Sequence, residues 1–165
     1  MVKFKFSNKK KFLIAEAGIN HNGKLKTALD LVDTAKTNGA DAIKFQTYKT
    51  EKRINKKYKK IFEILKNCEL GYEDFKKIND YCKKKKIIFF STPFDKEAVD
   101  FLETLKVPLY KVASFDISNY DLLKKIIATK KTTIVSTGMA NMLEIKKVYK
   151  FFRSHKVQLS LLHCV

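Results

Sequence analysis

Short apolar runs recur along the chain, and each gives way to a polar group. The runs are Phe12–Ala15, Ala42–Phe45, Ile87–Phe90, Leu109–Ala113, Thr132–Val135 and Gln158–Leu162. Rich in Ile, Val, Leu and Phe, they read as strands buried on both faces. Between them apolar residues fall at helical spacing, as in Ala28, Leu31, Val32, Ala35 and again in Leu122, Leu123, Ile126, Ile127. Gly39 stands where a helix C-terminus is expected, and Asn119 is a candidate N-cap for a helix over 120–129. Alternating strand and helix predicts βαβ units, parallel strands and right-handed crossovers.

Most units recur at about 25 residues, a spacing ordinary for a strand, a helix and two short loops. The interval after the second strand is longer. Thr47 to Leu70 is lysine-rich, lacks a clean strand pattern, and reads as an extended βα loop with a helix from Lys57 to Lys66. Such a loop is either functional or a plain surface excursion. Six units in a row fit a doubly wound sheet or part of an eight-stranded barrel. No GxGxxG or P-loop pattern follows the first strand; Glu16-Ala17-Gly18-Ile19-Asn20-His21-Asn22-Gly23 stands there instead. The expected fold class is α/β, an incomplete TIM (β/α)8 barrel of about six parallel strands.

At 165 residues, 45% of them hydrophobic, the chain has the length and composition of one globular domain. No stretch approaches the ~20 apolar residues that span a bilayer, and no membrane association is expected. Met1–Phe6 shows no secretory pattern, and Cys68, Cys82 and Cys164 have no CxxC spacing, so a reducing cytoplasmic setting is expected. The net charge of +18 raises the question of nucleic acid. Against it, all but two of the 35 basic residues are lysine, Arg53 and Arg153 being the exceptions, whereas base and phosphate recognition favours the guanidinium fork. The lysines are also spread, with small clusters at Lys9–Lys11, Lys56-Lys57, Lys59-Lys60 and Lys83–Lys86. They suit a solvated surface that steers anionic metabolites, with a polyanion-binding face as the competing reading.

Parallel α/β folds collect their chemistry at the carboxyl ends of the strands. The groups gathered there are Glu16, Lys44, Gln46, Ser91-Thr92, Lys111, Ser114, Ser136-Thr137-Gly138 and His163-Cys164. Lys44 and Lys111 each interrupt an apolar run, so each either meets an anion or snorkels to the surface. The hydroxyls either donate to a ligand or cap the following helices. Glu16 suits a hydrogen-bond acceptor for a sugar hydroxyl or a general base, with an ion pair to Lys44 as the plain alternative. Gln46, two residues beyond Lys44, shares its face. His21 and His163 show no metal-ligand spacing, and His155 reads as surface.

In order along the chain stand Ile14-Ala15-Glu16-Ala17-Gly18-Ile19-Asn20-His21-Asn22-Gly23, Gly39-Ala40-Asp41-Ala42-Ile43-Lys44-Phe45-Gln46-Thr47, Ser91-Thr92-Pro93-Phe94-Asp95, Lys111-Val112-Ala113-Ser114, Ser136-Thr137-Gly138-Met139 and Leu161-Leu162-His163-Cys164. This series resembles the sialic acid (N-acetylneuraminate) synthases, which condense phosphoenolpyruvate with N-acetylmannosamine or a related amino sugar and release phosphate. The resemblance implies an N-terminal TIM barrel followed by an antifreeze-like domain, and a homodimer. It places Lys44, Thr92, Lys111, Ser114 and Ser136 on phosphoenolpyruvate, with Glu16 as the catalytic candidate and Glu16 and Gln46 near the amino sugar. It also implies a divalent metal, manganese or magnesium, whose two histidine ligands lie downstream of the Leu161–Cys164 motif and so outside this sequence. Residues 1–165 would then be the N-terminal part of such a barrel, without its last strands or the antifreeze-like domain. The chain alone is expected to be weakly active or inactive, or to be a non-catalytic remnant or split subunit that needs a partner.

Overall fold

The computed structural model describes Phe4, Phe6 and residues 11–164; the expectations for Met1–Lys3 and for Lys9 and Lys10 lie outside the described residues. Six strands form one parallel sheet in sequence order: β1 (Ile14–Gly18), β2 (Ala42–Thr47), β3 (Ile88–Pro93), β4 (Leu109–Val112), β5 (Thr132–Ser136) and β6 (Leu159–Leu162). The sheet curls into a half-barrel, with helices on its convex side. These helices are α1 (Leu25–Thr37), α2 (Thr50–Arg53), α3 (Lys59–Asn67), α4 (Tyr72–Lys85), α5 (Lys96–Thr104), α6 (Tyr120–Ala128) and α7 (Met142–Ser154). Neighbouring strands in unbroken order rule out the doubly wound alternative, whose strand order reverses. No helix is long and apolar enough to cross a membrane among the described residues.

Two corrections to the sequence reading concern boundaries. β1 begins at Ile14 rather than Phe12 and runs through Glu16 to Gly18, and β2 and β3 likewise continue through their polar residues. Glu16, Lys44, Gln46, Thr92, Lys111 and Ser136 therefore sit within the strands, where the ladder fixes their direction, while Ser114 follows β4. The long interval after β2 holds two helices, α2 and α3, the second starting at Lys59 instead of Lys57.

Period-two alternation divides the sheet residues between two cores. Ile43, Phe45, Phe89, Tyr110, Val112 and Val135 face the helices, where they meet Val32, Phe75, Ile78, Leu102, Leu123 and Ile126. Ala42, Phe90, Leu109 and Ile134 face the concave interior, packed with Phe4, Phe6 and Phe12. The three phenylalanines touch edge to face, with centroids 5.1–5.4 Å apart.

Helix ends recur in one form. At α1, α4, α5 and α7 the backbone N–H of Ala40, Ile87, Val107 and Val157 donates to the carbonyl five residues back, on Ala35, Cys82, Leu102 and Phe152. This is the Schellman arrangement, and each donor is a buried apolar residue leading into the next strand. The arrangement needs a left-handed residue just before the donor. Gly39 fills that place after α1, with φ +80°, but Lys86, Lys106 and Lys156 fill it after α4, α5 and α7, with φ between +53° and +58°. A side chain there costs roughly 1–2 kcal/mol relative to ordinary backbone, a cost glycine escapes. α5, α6 and α7 start on Asp95, Asn119 and Asn141, whose side-chain oxygens accept backbone N–H groups.

Phe90→Ala is expected to destabilise the chain by about 3–5 kcal/mol, while Ile61→Ala, at a position 52% exposed, changes stability by less than about 0.5 kcal/mol, both read from urea unfolding. Lys106→Gly is expected to raise stability by about 1 kcal/mol in the same measurement, because it relieves the left-handed strain without removing a side-chain hydrogen bond.

Candidate functional site

The concave face of the sheet changes character within one two-residue step. Beyond Ala42, Phe90, Leu109 and Ile134 the same face carries Lys44, Thr92, Lys111 and Ser136. All four are buried; even the two lysines are only 8% exposed. Gln46, Ser114 and Cys164 stand at the rim, and these groups, with Arg53, Phe94, Ala113 and Phe115, line a cleft of about 240 Å³. A larger hollow of about 760 Å³ lies between α4 and the turn from α5 to β4. Two of its three lysines, Lys76 and Lys83, are already paired with Glu73 and Asp80, so it gathers no free polar set.

Burial forces each lysine to find partners. Lys44 forms an ion pair with Glu16, which lies directly across the β1–β2 ladder, so the plain alternative for Glu16 holds. Glu16 itself is exposed and keeps a free side toward solvent. It sits at a break in the ladder between Glu16 and Gly18, where Gly18 has φ +53° and a Cβ would come to 3.4 Å from the Glu16 Oε1. A bulge at this place re-aims a strand-end side chain. Lys111 donates to the Ser136 hydroxyl at 2.6 Å and to the Val112 carbonyl at 2.8 Å, with no carboxylate in contact among the described residues. Burial, and then the charge of Lys44, push its pKa down to about 8.

The hydroxyls are not spent on helix capping, since Asp95, Asn119 and Asn141 hold those positions. Ser91 pairs with Thr47 at 2.7 Å behind the cleft, and Thr137 donates to the Leu162 carbonyl. Thr92 and Ser114 line the cleft with no hydrogen-bond partner among the described residues. Seven residues singled out from sequence, Glu16, Lys44, Gln46, Thr92, Lys111, Ser114 and Ser136, thus come from β1, β2, β3, β5 and both β4 and the turn after it to one concavity.

The histidines do not join them. His21 is buried at 1% exposure against Phe45, a residue of the helix-facing core, and its Nδ1 accepts the Gly23 N–H at 3.1 Å. Burial pushes its pKa down, partly offset by the Gly18 carbonyl. His163 is exposed beyond β6. No group of three or more His, Cys, Asp or Glu suited to a metal occurs among the described residues, so the donor set present does not fit the divalent metal that the resemblance implies.

Arg53 is the residue that the sequence reading passed over. It ends α2 in the excursion after β2, and its guanidinium lies 3.8 Å from the Phe94 ring centroid and 4.7 Å from that of Tyr48. It donates to the Gln46 Oε1 at 3.0 Å. The carboxylate of Glu69 holds α2 in place by accepting from the Thr50 N–H, the Thr50 hydroxyl and Lys49. Burial works against that carboxylate, but these donors hold its pKa down to about 2. The available signal for Arg53 was its rarity, one of two arginines in a chain that uses lysine everywhere else.

The profile of the NeuB family matches residues 31–165. The chain belongs to the NeuB family. It is 38% identical to the N,N'-diacetyllegionaminic acid synthase of Campylobacter jejuni over 172 aligned positions, covering 94% of this chain and 52% of that protein. It is 36% identical to the pseudaminic acid synthase of the same species, covering 91% and 48%. Among solved structures, the N-acetylneuraminic acid (sialic acid) synthetase of Leptospira borgpetersenii superposes with a TM-score of 0.90 at 39% identity, covering 93% of this chain and 54% of that one. The chain spans about half the length of the curated relatives it matches.

With the native pKa of Lys111 near 8 and the ordinary value at 10.5, the folded NeuB chain binds fewer protons than the unfolded chain between those values. Stability contributed by this residue therefore rises with pH from about 8 to 10.5. Urea unfolding of wild type and Lys111→Met at pH 7 and pH 10 is expected to show a pH-dependent gain in the wild type that the variant lacks.

Proposed function

We propose that the cleft binds phosphoenolpyruvate and serves its condensation with N-acetylmannosamine or a related amino sugar to give a nonulosonic acid. The observation that carries this reading is the buried pair Lys44 and Lys111 with Thr92, Ser114 and Ser136 on one concave face, in a member of the NeuB family. Phosphoenolpyruvate is a small molecule with both a carboxylate and a phosphate, and separated cations with neutral hydroxyl donors complement it. The relatives make different acids, legionaminic, pseudaminic and sialic, which supports an amino sugar as the second substrate without fixing which.

Lys111, held by Ser136, binds one anionic group, and Thr92 and Ser114 donate their free hydroxyls. Lys44 supplies the second ammonium, positioned by Glu16. Glu16 and Gln46 stand at the β1–β2 side, where Glu16 accepts from a sugar hydroxyl or takes a proton as general base. In the bond changes, C3 of phosphoenolpyruvate attacks the aldehyde carbon of the open-chain sugar and the aldehyde oxygen takes up a proton. Water then adds to C2 and loses a proton, and phosphate leaves by C–O cleavage. The metal of the resemblance finds no ligand set among the described residues, and none of these steps is assigned to it.

Titration calorimetry on the 165-residue chain is expected to show phosphoenolpyruvate binding more tightly than inorganic phosphate or pyruvate. Lys111→Met should weaken that binding about tenfold or more, the cost of losing a buried charge-assisted contact. Equal affinity for the three anions, or indifference to Lys111→Met, would overturn the proposal.

A further inference from the structure

Two buried lysines are a poor match for phosphoenolpyruvate once their partners are counted. At neutral pH this substrate carries roughly three negative charges, one on the carboxylate and nearly two on the phosphate. The charge of Lys44 is offset by Glu16 in direct contact. Lys111 has no carboxylate in contact, but its pKa near 8 leaves it only partly committed to the charged form at mildly alkaline pH. The strand ends thus supply about one uncompensated cation.

Arg53 supplies a second. Its guanidinium lines the same cleft, stays protonated throughout the physiological range, and makes no ion pair among the described residues. The carboxylate of Asp116 acts on it through charge without an ion pair, its Oδ1 accepting from Asn119 and its Oδ2 having no hydrogen-bond partner among the described residues. The Phe94 and Tyr48 rings, set at 79° to each other, hold it from two sides, with the Phe94 ring the nearer. Of its N–H donors, one is used by Gln46. The group is held from below as well: the Tyr48 hydroxyl donates to the Leu65 carbonyl of α3, and Glu69 anchors the start of α2. An arginine held between two aromatic rings, with one N–H donor spent on Gln46, at the wall of a cleft of about 240 Å³ has the form of an oxyanion clamp.

We propose that Arg53 is a substrate-binding residue that takes an oxyanion of phosphoenolpyruvate, its carboxylate or phosphate, from the β2–β3 side of the cleft while Lys111 holds the molecule from the β4–β5 side. This assignment rests on the phosphoenolpyruvate reading of the site. It makes α2, and not only the strands, part of the binding machinery.

The chain's two arginines make a direct test simple, because Arg153 is exposed on α7 and serves as an internal reference. Phenylglyoxal labelling followed by peptide mass spectrometry reports each residue separately. With phosphoenolpyruvate at about tenfold over its Kd, Arg53 modification is expected to slow about tenfold by mass action, with Arg153 unchanged. Calorimetry on Arg53→Gln should show Kd raised about tenfold, with a smaller loss in Arg53→Lys, which keeps the charge but not the fork. An unchanged unfolding midpoint in Arg53→Gln separates lost binding from a merely structural role, and the labelling arm stands without any variant. Unprotected Arg53 under conditions where binding depends on Lys111 overturns this assignment and leaves the phosphoenolpyruvate reading intact. Protection by N-acetylmannosamine 6-phosphate but not by phosphoenolpyruvate overturns it too, by giving the clamp to the sugar. Absence of any Lys111-dependent binding removes both.

Discussion

Two ammonium groups buried inside one curved sheet are the constraint around which the rest of this molecule is arranged. A lysine at 8% exposure needs an anion or a dense set of acceptors, and the two here solve the problem differently. Lys44 meets Glu16 across the β1–β2 ladder, whereas Lys111 has only a serine hydroxyl and a backbone carbonyl. The second solution is the costly one, and its cost is visible in the lowered pKa. A site that keeps an uncompensated cation indoors is prepared for an anion that brings the compensation with it.

The neighbouring structure explains how such a site stays in place. Its floor is the apolar layer of Ala42, Phe90, Leu109 and Ile134, sealed by the phenylalanines of the amino-terminal segment. The helices outside grip the alternate residues of β2 to β5, so these four strands are fixed on both faces and their polar positions have no freedom to rotate away, whereas β6 leaves Leu161 and Leu162 exposed. Four of the seven α-helices among the described residues hand over to the next segment through the same hydrogen-bond motif, with a buried apolar residue as its final donor. The repeated hand-over sets where β2, β3, β4 and β6 start, and thereby how far along β2, β3 and β4 the polar residue falls.

Much of this was legible from the residue pattern. The six apolar runs gave the strands, and the polar residues interrupting them, Lys44 and Lys111 above all, marked the rim. Asn119 acts as the N-cap its position suggested, and Gly39 takes the left-handed place after α1. Other helix ends were hidden because Lys86, Lys106 and Lys156 occupy a conformation usually announced by glycine, in a chain with few glycines and abundant lysine. α2 was invisible for a related reason: at four residues it carries no periodicity, and it exists because Glu69, almost twenty positions later, satisfies its first turn. Arg53 inherits that concealment, since its place in the cleft depends on a contact between distant residues and on the two aromatic rings, Tyr48 and Phe94, that directly follow β2 and β3.

Gly23 joins parts of the molecule that are otherwise separate. Its φ of +69° brings the loop after β1 so close to α3 that a Cβ at this position would lie 2.2 Å from the Asn67 carbonyl oxygen. Two residues further on from Asn67 stands Glu69, the clasp of α2. The loop that follows Glu16 and the excursion that carries Arg53 are therefore in mechanical register, backbone against backbone. Lengthening or shortening either segment would shift the other, so the two segments take their positions from one shared contact.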